Sequence, residues 1–138
     1  MIKIGIDVGS TTAKLVAVDE NDNLLFSKYE RHNAKAKETI LSFLKELLSE
    51  IGDKDISVRI TGSIGMGISE KCSLPFVQEV VAAAKAIQKD YSHVTSMIDI
   101  GGEDAKVVFF KDAEATDLRM NGNCAGGTGA FIDQMAII

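Results

Sequence analysis

Cysteine and proline are scarce in this chain, and tryptophan is missing. Its 138 residues include one proline, Pro75, two cysteines, Cys72 and Cys124, and no tryptophan. Two cysteines are too few for a disulfide framework, so we expect free thiols or metal ligands in a reducing compartment. No low-complexity segment or linker is present. Together with the length, these scarcities exclude a small disulfide-stabilised scaffold and predict one compact domain.

Long apolar runs and blocks of like charge are missing as well. No stretch approaches the ~20 apolar residues of a membrane span. The N-terminal MIKIGIDVGS enters an alternating strand directly, without the basic region and apolar segment of a secretory signal. The net charge of −5 argues against nucleic acid as a partner. We therefore expect a cytoplasmic protein that binds neither nucleic acid nor a membrane.

Strand and helix patterns follow one another in a definite order. KIGIDV, AKLVAVD and LLFSKYE predict a three-strand meander. KETILSFLKELLSEIG places Ile40, Leu44, Leu47 and Ile51 at helical spacing and ends at Gly52. ISVRIT predicts a fourth strand that ends in GSIGMG, and VQEVVAAAKAIQKDY predicts an alanine-rich helix. SMIDI, AKVVFF and ATDLRM follow as further strands, so the order is that of an α/β protein.

One short pattern occurs twice, at the ends of two predicted strands. DVGSTTAK (7–14) and DIGGEDAK (99–106) each have an aspartate, a glycine turn, polar residues and a lysine that opens the next strand. One such hairpin alone is typical of an ordinary tight turn, and neither matches the P-loop. Two of them with a third glycine loop predict phosphate binding, because glycines let backbone N–H groups approach phosphate oxygens. The candidates are Gly9, Ser10, Thr11, Thr12, Lys14, Gly101, Gly102 and Asp104.

Charged residues of the two hairpins have different predicted roles. Asp7 and Asp99 are candidates for the Mg²⁺ shell and for positioning an attacking water, since phosphoryl transfer depends on placement and charge stabilisation. Lys14 and Lys106 reach phosphate in one interpretation. In the favoured interpretation they alternate outward as solvated strand residues.

A third glycine loop, MNGNCAGGTGAF, places a cysteine directly before a glycine run. Its candidate phosphate-binding residues are Gly126, Gly127, Thr128 and Gly129, and its candidate metal ligand is Cys124. From the residues alone, the favoured interpretation of Cys124 is a small, half-buried residue beside a turn.

The three loops together carry a family resemblance. The paired hairpins resemble those of the actin, Hsp70 and sugar-kinase superfamily. GIDVGSTTAK, IDIGGEDAK and MNGNCAGGTGAFIDQMA are similar to the BadF/BadG/BcrA/BcrD family, the ATP-dependent activators of 2-hydroxyacyl-CoA dehydratases and benzoyl-CoA reductases. The resemblance covers the whole chain and implies a ribonuclease H-like lobe, a mixed sheet with flanking helices. Residues 1–138 would be the first lobe of an actin-like ATPase domain, and we expect them to be the N-terminal part of a longer activase-related protein that also supplies the second lobe.

The resemblance also implies cofactors and partners. Family activators use ATP and Mg²⁺ and share one [4Fe-4S] cluster across a homodimer, with two cysteine ligands from each subunit. Cys124 matches the first ligand, and the second would lie beyond Ile138. A helix N-terminus near Cys124 would favour the thiolate that iron requires. The implied electron donor is a ferredoxin or flavodoxin, and the implied acceptor is the dehydratase or reductase component.

Several other residues have two interpretations. Activators tend to carry a glutamate where Glu79 begins the alanine-rich helix, so Glu79 is a candidate water-positioning base, and an exposed helical glutamate is the default interpretation. Glu103 stands where many family members carry glutamine, and a surface carboxylate is an equal interpretation. His32 is interpreted as a loop or domain-contact residue, Cys72 as a partly buried free thiol, and His93 as a surface histidine.

Two other functions share these loops. A sugar- or acetate-kinase-like phosphotransferase would use the hairpins but has no need for Cys124. A non-enzymatic actin-like module would bind nucleotide and self-associate. Under the activator reading, we expect the full-length protein to hydrolyse ATP, and the 138-residue chain to bind MgATP weakly and hydrolyse it negligibly.

Overall fold

The chain divides into two compact units. The computed structural model describes residues 1–111, 114–121 and 126–137. The first unit is Met1–Gln78 and the second is Glu79–Ile138. The prediction of one compact domain is therefore corrected, because each unit has its own cluster of buried apolar side chains. The assignment of residues 1–138 to the first lobe of a larger ATPase domain stays a prediction.

The first unit is a four-stranded mixed sheet with two helices. Its elements are β1 (Ile2–Val8), β2 (Thr12–Val18), β3 (Leu24–Arg31), α1 (Ala36–Ile51), β4 (Ile56–Thr61) and α2 (Gly65–Cys72). The strand order is β3-β2-β1-β4; β2 is antiparallel to β1 and β3, and β4 is parallel to β1. The predicted meander, fourth strand and mixed sheet are confirmed.

The core of the first unit lies under α1. Alternate residues of β1 and β2 are buried, as the period of a strand requires. The helix buries Ile40, Phe43 and Leu47, whereas Leu44 and Ile51 pack only at the edge of the core. The prediction of an amphipathic helix is confirmed, but its apolar face is centred on Phe43, which is 1 % exposed. Each such buried side chain contributes roughly 1.5–3 kcal/mol.

The sequence analysis assigns no helix to GSIGMG, yet α2 begins within it. Two glycines lower the helix propensity of this stretch by about 1 kcal/mol each. The helix forms because it packs closely on the sheet. The packing is close enough that a Cβ on Gly65 would lie 2.9 Å from Ile60 Cγ2. The helix is fixed to the sheet at its start, where Ile64 N donates to Val8 O at 2.9 Å.

The second unit is an antiparallel meander between two helices. Its elements are α3 (Glu79–Asp90), β5 (Ser96–Ile100), β6 (Ala105–Lys111), β7 (Glu114–Met120) and α4 (Gly129–Met135), with strand order β5-β6-β7. Among the described residues its buried apolar side chains are Ala84, Val108 and Phe110. Along β6, buried side chains alternate with less buried ones.

No helix in the described ranges is both long and apolar enough to cross a bilayer.

Candidate functional site

The first hairpin joins β1 to β2 through residues 9–11. Gly9 N donates to Thr12 O at 3.0 Å, which closes the turn. Ser10 is exposed and its hydroxyl lies 3.5 Å from that of Thr11. The turn therefore has a tight backbone and hydroxyl groups at its tip, as phosphate binding requires.

Asp7 and Lys14 face each other at the base of this hairpin. They are register partners on β1 and β2, and Lys14 Nζ donates to Asp7 Oδ2 at 2.6 Å. The lysine is 43 % exposed and lies 5.4 Å from the centre of the Tyr29 ring. Lys14 thus neutralises the aspartate and lies half in solvent, and its contact with phosphate stays a prediction.

His32 supports the first hairpin from behind, a role that the sequence analysis did not assign. It follows β3 directly and is only 4 % exposed. Its Nε2 lies 3.0 Å from Gly9 O, and its backbone N donates to Thr11 O at 3.2 Å. Because a carbonyl oxygen accepts, Nε2 is the protonated nitrogen of this ring. The signal in the sequence is the RH dipeptide directly after the third strand.

A second missed feature is the turn at the end of β4. Gly62 has φ +92°, and a Cβ at this position would collide with Val8 O and lie 2.5 Å from Asp7 Oδ1. Only glycine brings its backbone this close to the aspartate. The glycine that follows ISVRIT was a visible signal of such an approach.

The second hairpin repeats the first. Gly101 N donates to Asp104 O at 2.8 Å, in the same position relative to the aspartate as the turn-closing bond of the first hairpin. Asp99 and Lys106 are register partners on β5 and β6, as Asp7 and Lys14 are on β1 and β2. A Cβ on Gly101 would lie 2.5 Å from Asp104 Oδ1, so this turn also needs its glycine.

Lys106 does not alternate outward, which corrects the favoured interpretation. Its side chain is 5 % exposed, with Nζ at 2.9 Å from Asp104 Oδ2, 3.2 Å from Glu79 Oε2 and 3.9 Å from Asp99 Oδ2. It therefore gathers three predicted site residues around one ammonium. Glu79 is half-buried at the start of α3 and bound to this lysine, rather than a freely solvated helical glutamate.

The charge of Lys106 is maintained by its partners. Burial lowers the pKa of this lysine, but the hydrogen bond to Asp104 and the negative charge of Glu79 raise it, and the net pKa lies above the ordinary 10.5. Lys106 is thus a cation at neutral pH whose own side chain is buried, while the carboxylates around it remain partly exposed.

The third glycine loop contacts the second hairpin. Gly129 N donates to Gly101 O at 2.8 Å, and Ala130 N donates to Gly102 O at 3.1 Å. Thr128 is fully buried, Gly126 and Gly127 are exposed, and Gly127 has φ +83°. The first two amides of α4 therefore fix the helix to the hairpin. Cys124 lies outside the described residues.

The remaining residues are simple to place. Glu103 and His93 are exposed, as one interpretation of each expected. Cys72 is exposed rather than partly buried, because it ends α2 at the surface.

An apolar cavity of about 420 Å³ lies between α1 and α2 and contains none of the predicted phosphate-binding residues. In the described part of the chain, no three His, Cys, Asp or Glu side chains are arranged to hold a metal ion.

Comparison with known proteins gives a consistent result. The profile of the BadF/BadG/BcrA/BcrD ATPase family matches residues 4–137. The (R)-2-hydroxyglutaryl-CoA dehydratase activating ATPase of Acidaminococcus fermentans is 28 % identical over 137 residues, which are 98 % of this chain and 52 % of that protein.

Two solved structures have the same fold. The crystal structure of component A of the Acidaminococcus fermentans (R)-2-hydroxyglutaryl-CoA dehydratase superposes with a TM-score of 0.85 at 27 % identity, over 99 % of this chain and 53 % of that one. The activator of the 2-hydroxyisocaproyl-CoA dehydratase from Clostridium difficile, with bound ADPNP, gives 0.84 at 29 % identity, over 99 % and 52 %. The chain thus has the actin-like ATPase fold of these activators and spans about half their length. It belongs to the BadF/BadG/BcrA/BcrD ATPase family, as its three loops predicted.

Proposed function

We propose that this chain is the nucleotide-binding part of an ATP-hydrolysing activator. The full-length protein would deliver a low-potential electron, through a [4Fe-4S] cluster, to a 2-hydroxyacyl-CoA dehydratase or benzoyl-CoA reductase-type partner. The observation that carries the proposal is the pair of matched hairpins, each with an aspartate and a lysine in register. Relatives of this chain are named as activators of such dehydratases, and one was solved with an ATP analogue.

The two hairpins and the third loop would bind the nucleotide phosphates. In the first hairpin the turn backbone and the hydroxyls of Ser10, Thr11 and Thr12 are the donors, with Lys14 beside them. In the second hairpin the turn at Gly101 and Gly102 would have the same role, and the hydrogen bond from Gly129 N to Gly101 O holds the third loop against that turn. Because Lys106 is buried, its proposed role is to hold the carboxylates in place rather than to contact phosphate.

A divalent cation fits the first hairpin. Asp7 Oδ1 is a buried carboxylate oxygen without a hydrogen-bond partner among the described residues, and magnesium is usually bound by one or two carboxylates and several waters. Asp7 is the proposed cation ligand of the first hairpin and Asp99 that of the second, and the cation would neutralise charge on the phosphates. Glu79, kept in position by Lys106 at 3.2 Å, would orient the attacking water.

The iron-sulfur cluster rests on the family and not on described geometry. Cys124 is the proposed ligand, together with its symmetry mate in a homodimer and a second cysteine from each full-length subunit. Such a cluster transfers single electrons at a potential set by its surroundings. The electron donor would be a ferredoxin or flavodoxin, and the cytoplasm is the proposed compartment.

Anaerobic reconstitution of the full-length protein with iron and sulfide tests the proposal. Iron-sulfur absorbance should form in the wild type and in Cys72→Ser, a matched control at an exposed thiol, and should be lost in Cys124→Ser. Absorbance that persists in Cys124→Ser, or that never forms, would contradict the cluster. Nucleotide consumption that depends on an added acceptor would instead indicate a kinase, and sedimentation as a polymer with ATP would indicate an assembly module.

A further inference from the structure

Three buried side-chain atoms of the first unit have no hydrogen-bond partner among the described residues. They are Asp7 Oδ1, His32 Nδ1 and Thr61 Oγ1. Asp7 lies near the end of β1, Thr61 ends β4, and His32 directly follows β3. These three strands run in the same direction, since β4 is parallel to β1 and both β1 and β3 are antiparallel to β2. All three atoms therefore belong to the carboxyl edge of the sheet, where α/β folds bind ligands.

Asp7 and Thr61 lie on neighbouring strands. They are register partners on the parallel strands β1 and β4. Paired strands are about 4.8 Å apart, and partner residues project from the same face of the sheet. The unpaired carboxylate oxygen and the unpaired hydroxyl oxygen thus belong to neighbouring residues on one face of the sheet.

The turn after Thr61 holds this pair in place. Gly62 brings its backbone against Asp7 Oδ1 in a conformation with φ +92°. Two residues later, Ile64 N donates to Val8 O at 2.9 Å and fixes the turn to the end of β1. The backbone that carries the two oxygens is therefore fixed, and both oxygens are buried.

Unpaired buried groups are costly, at about 1–3 kcal/mol each, and native proteins retain few of them. The chemistry of this pair indicates the ligand. Asp7 Oδ1 accepts only, and Thr61 Oγ1 both donates and accepts. An anion is disfavoured next to a carboxylate oxygen, whereas a water molecule bound to a hard cation donates to both oxygens.

We propose that Thr61 is a binding residue for the hydration shell of the divalent cation that accompanies the nucleotide, and that it acts together with Asp7. The inference rests on the proposed function, which assigns the cation to Asp7. It adds a hydroxyl from β4, outside the three glycine loops, to the site.

The test compares Thr61→Val, which keeps the shape but removes the hydroxyl, with Thr61→Ser, which keeps the hydroxyl. The exposed Thr95→Val is the control. In EDTA, Thr61→Val should raise the midpoint of urea unfolding of the 138-residue chain, because it removes an unpaired buried oxygen. A fall in the midpoint would show that a fixed partner already satisfies the hydroxyl, and would overturn the inference.

The second measurement uses Mn²⁺ as the probe and NMR broadening of the amides around Asp7 as the signal. Thr61→Val should raise the Mn²⁺ concentration for half-maximal broadening by about tenfold, the usual effect of losing a supporting polar group at a metal site. Thr61→Ser and Thr95→Val should stay near the wild type. Broadening around Asp7 that is the same in Thr61→Val overturns the role of Thr61 and leaves the cation at Asp7. No broadening around Asp7 in the wild type overturns both.

Discussion

Lys14 and Lys106 occupy the same position in two hairpins and have opposite surroundings. Each is the register partner of an aspartate. Lys14 is 43 % exposed, whereas Lys106 is 5 % exposed. The repeated motif predicts the pairing, because the spacing of a tight hairpin fixes its register. It does not predict the burial, which depends on Glu79, 27 positions earlier in the chain.

Replacing Lys106 by methionine gives a prediction about pH. The pKa of Lys106 lies above the ordinary 10.5, so its contribution to stability is fully present below that value and is lost as the pH rises through the folded-state pKa. The measurement is urea unfolding from pH 7 to pH 11. At neutral pH the free energy of unfolding of the wild type should exceed that of Lys106→Met by about 2 kcal/mol. This difference should shrink above roughly pH 10.5.

Lys111→Met, at an exposed position of the same strand, is the control for Lys106→Met. Its difference from wild type should stay within about 0.5 kcal/mol. A difference for Lys106→Met that is unchanged up to pH 11 would show that the lysine stabilises by packing alone.

A second prediction concerns Gly62. Its positive φ and the backbone carbonyl of Val8 leave no room for a methyl group, so Gly62→Ala should lower the free energy of unfolding by about 2–4 kcal/mol. Gly67→Ala is a matched control in α2, where a Cβ meets nothing within 4 Å, and it should stabilise by about 0.5–1 kcal/mol. Equal effects of the two substitutions in urea unfolding would contradict the close approach.

At the scale of elements, hydrophobic periodicity predicted the secondary structure reliably, whereas local helix propensity did not. The strands β1 to β6 and the helix α1 follow from alternation and helical spacing. The helix α2 does not, because Gly65 is required by its contact with Ile60 rather than by helix propensity. The RH dipeptide and the glycine after ISVRIT are visible in the sequence, but the contacts of His32 and Gly62 are not, since they depend on strands that come together only in the fold.

His32 links the end of β3 to the first hairpin. His32→Ala removes the hydrogen bond to Gly9 O and should lower the free energy of unfolding by about 1–3 kcal/mol. It should also shift the amide resonances of residues 9–12. The exposed His93→Ala should change neither quantity. Unshifted hairpin resonances in His32→Ala would mean that the turn holds its shape without the histidine.

The link between α4 and the second hairpin is also open to measurement. The amides of Gly129 and Ala130 donate to the carbonyls of the hairpin glycines, so they should exchange slowly with solvent. A Cβ on Gly129 would lie 2.9 Å from Gly101 O, and Gly129→Ala should therefore speed exchange at both amides about tenfold, a loss of about 1.4 kcal/mol of local stability. Ile132→Ala, exposed on the same helix, should leave both rates unchanged; fast exchange in the wild type would contradict the link.

At the scale of the whole molecule, the sequence predicted the family and missed the division into two units. The three loops were sufficient for the family because each is a nearly continuous motif. The division was not visible because no linker composition marks the boundary at Gln78 and Glu79. It is a property of where the buried side chains cluster.

The length of the chain leads to a prediction about nucleotide binding. It spans 52 % of the Acidaminococcus fermentans activating ATPase, and the second lobe that the family resemblance implies is not part of it. We expect calorimetry on the 138-residue chain to give a dissociation constant for MgATP of roughly 1 mM or weaker, about −4 kcal/mol, with negligible hydrolysis. Micromolar binding would contradict this expectation, and Asp7→Asn would then show whether the first hairpin is responsible.

The carboxylates around Lys106 have an electrostatic consequence. Three carboxylates around one ammonium leave an excess of two negative charges beside the second hairpin. On the proposed function, a bare polyphosphate arriving there is repelled, and the same polyphosphate with its charge cancelled by a bound cation is not. The repulsion reaches only about 8 Å at physiological ionic strength. On that proposal, this hairpin would favour, within that distance, nucleotide that arrives already paired with its counterion.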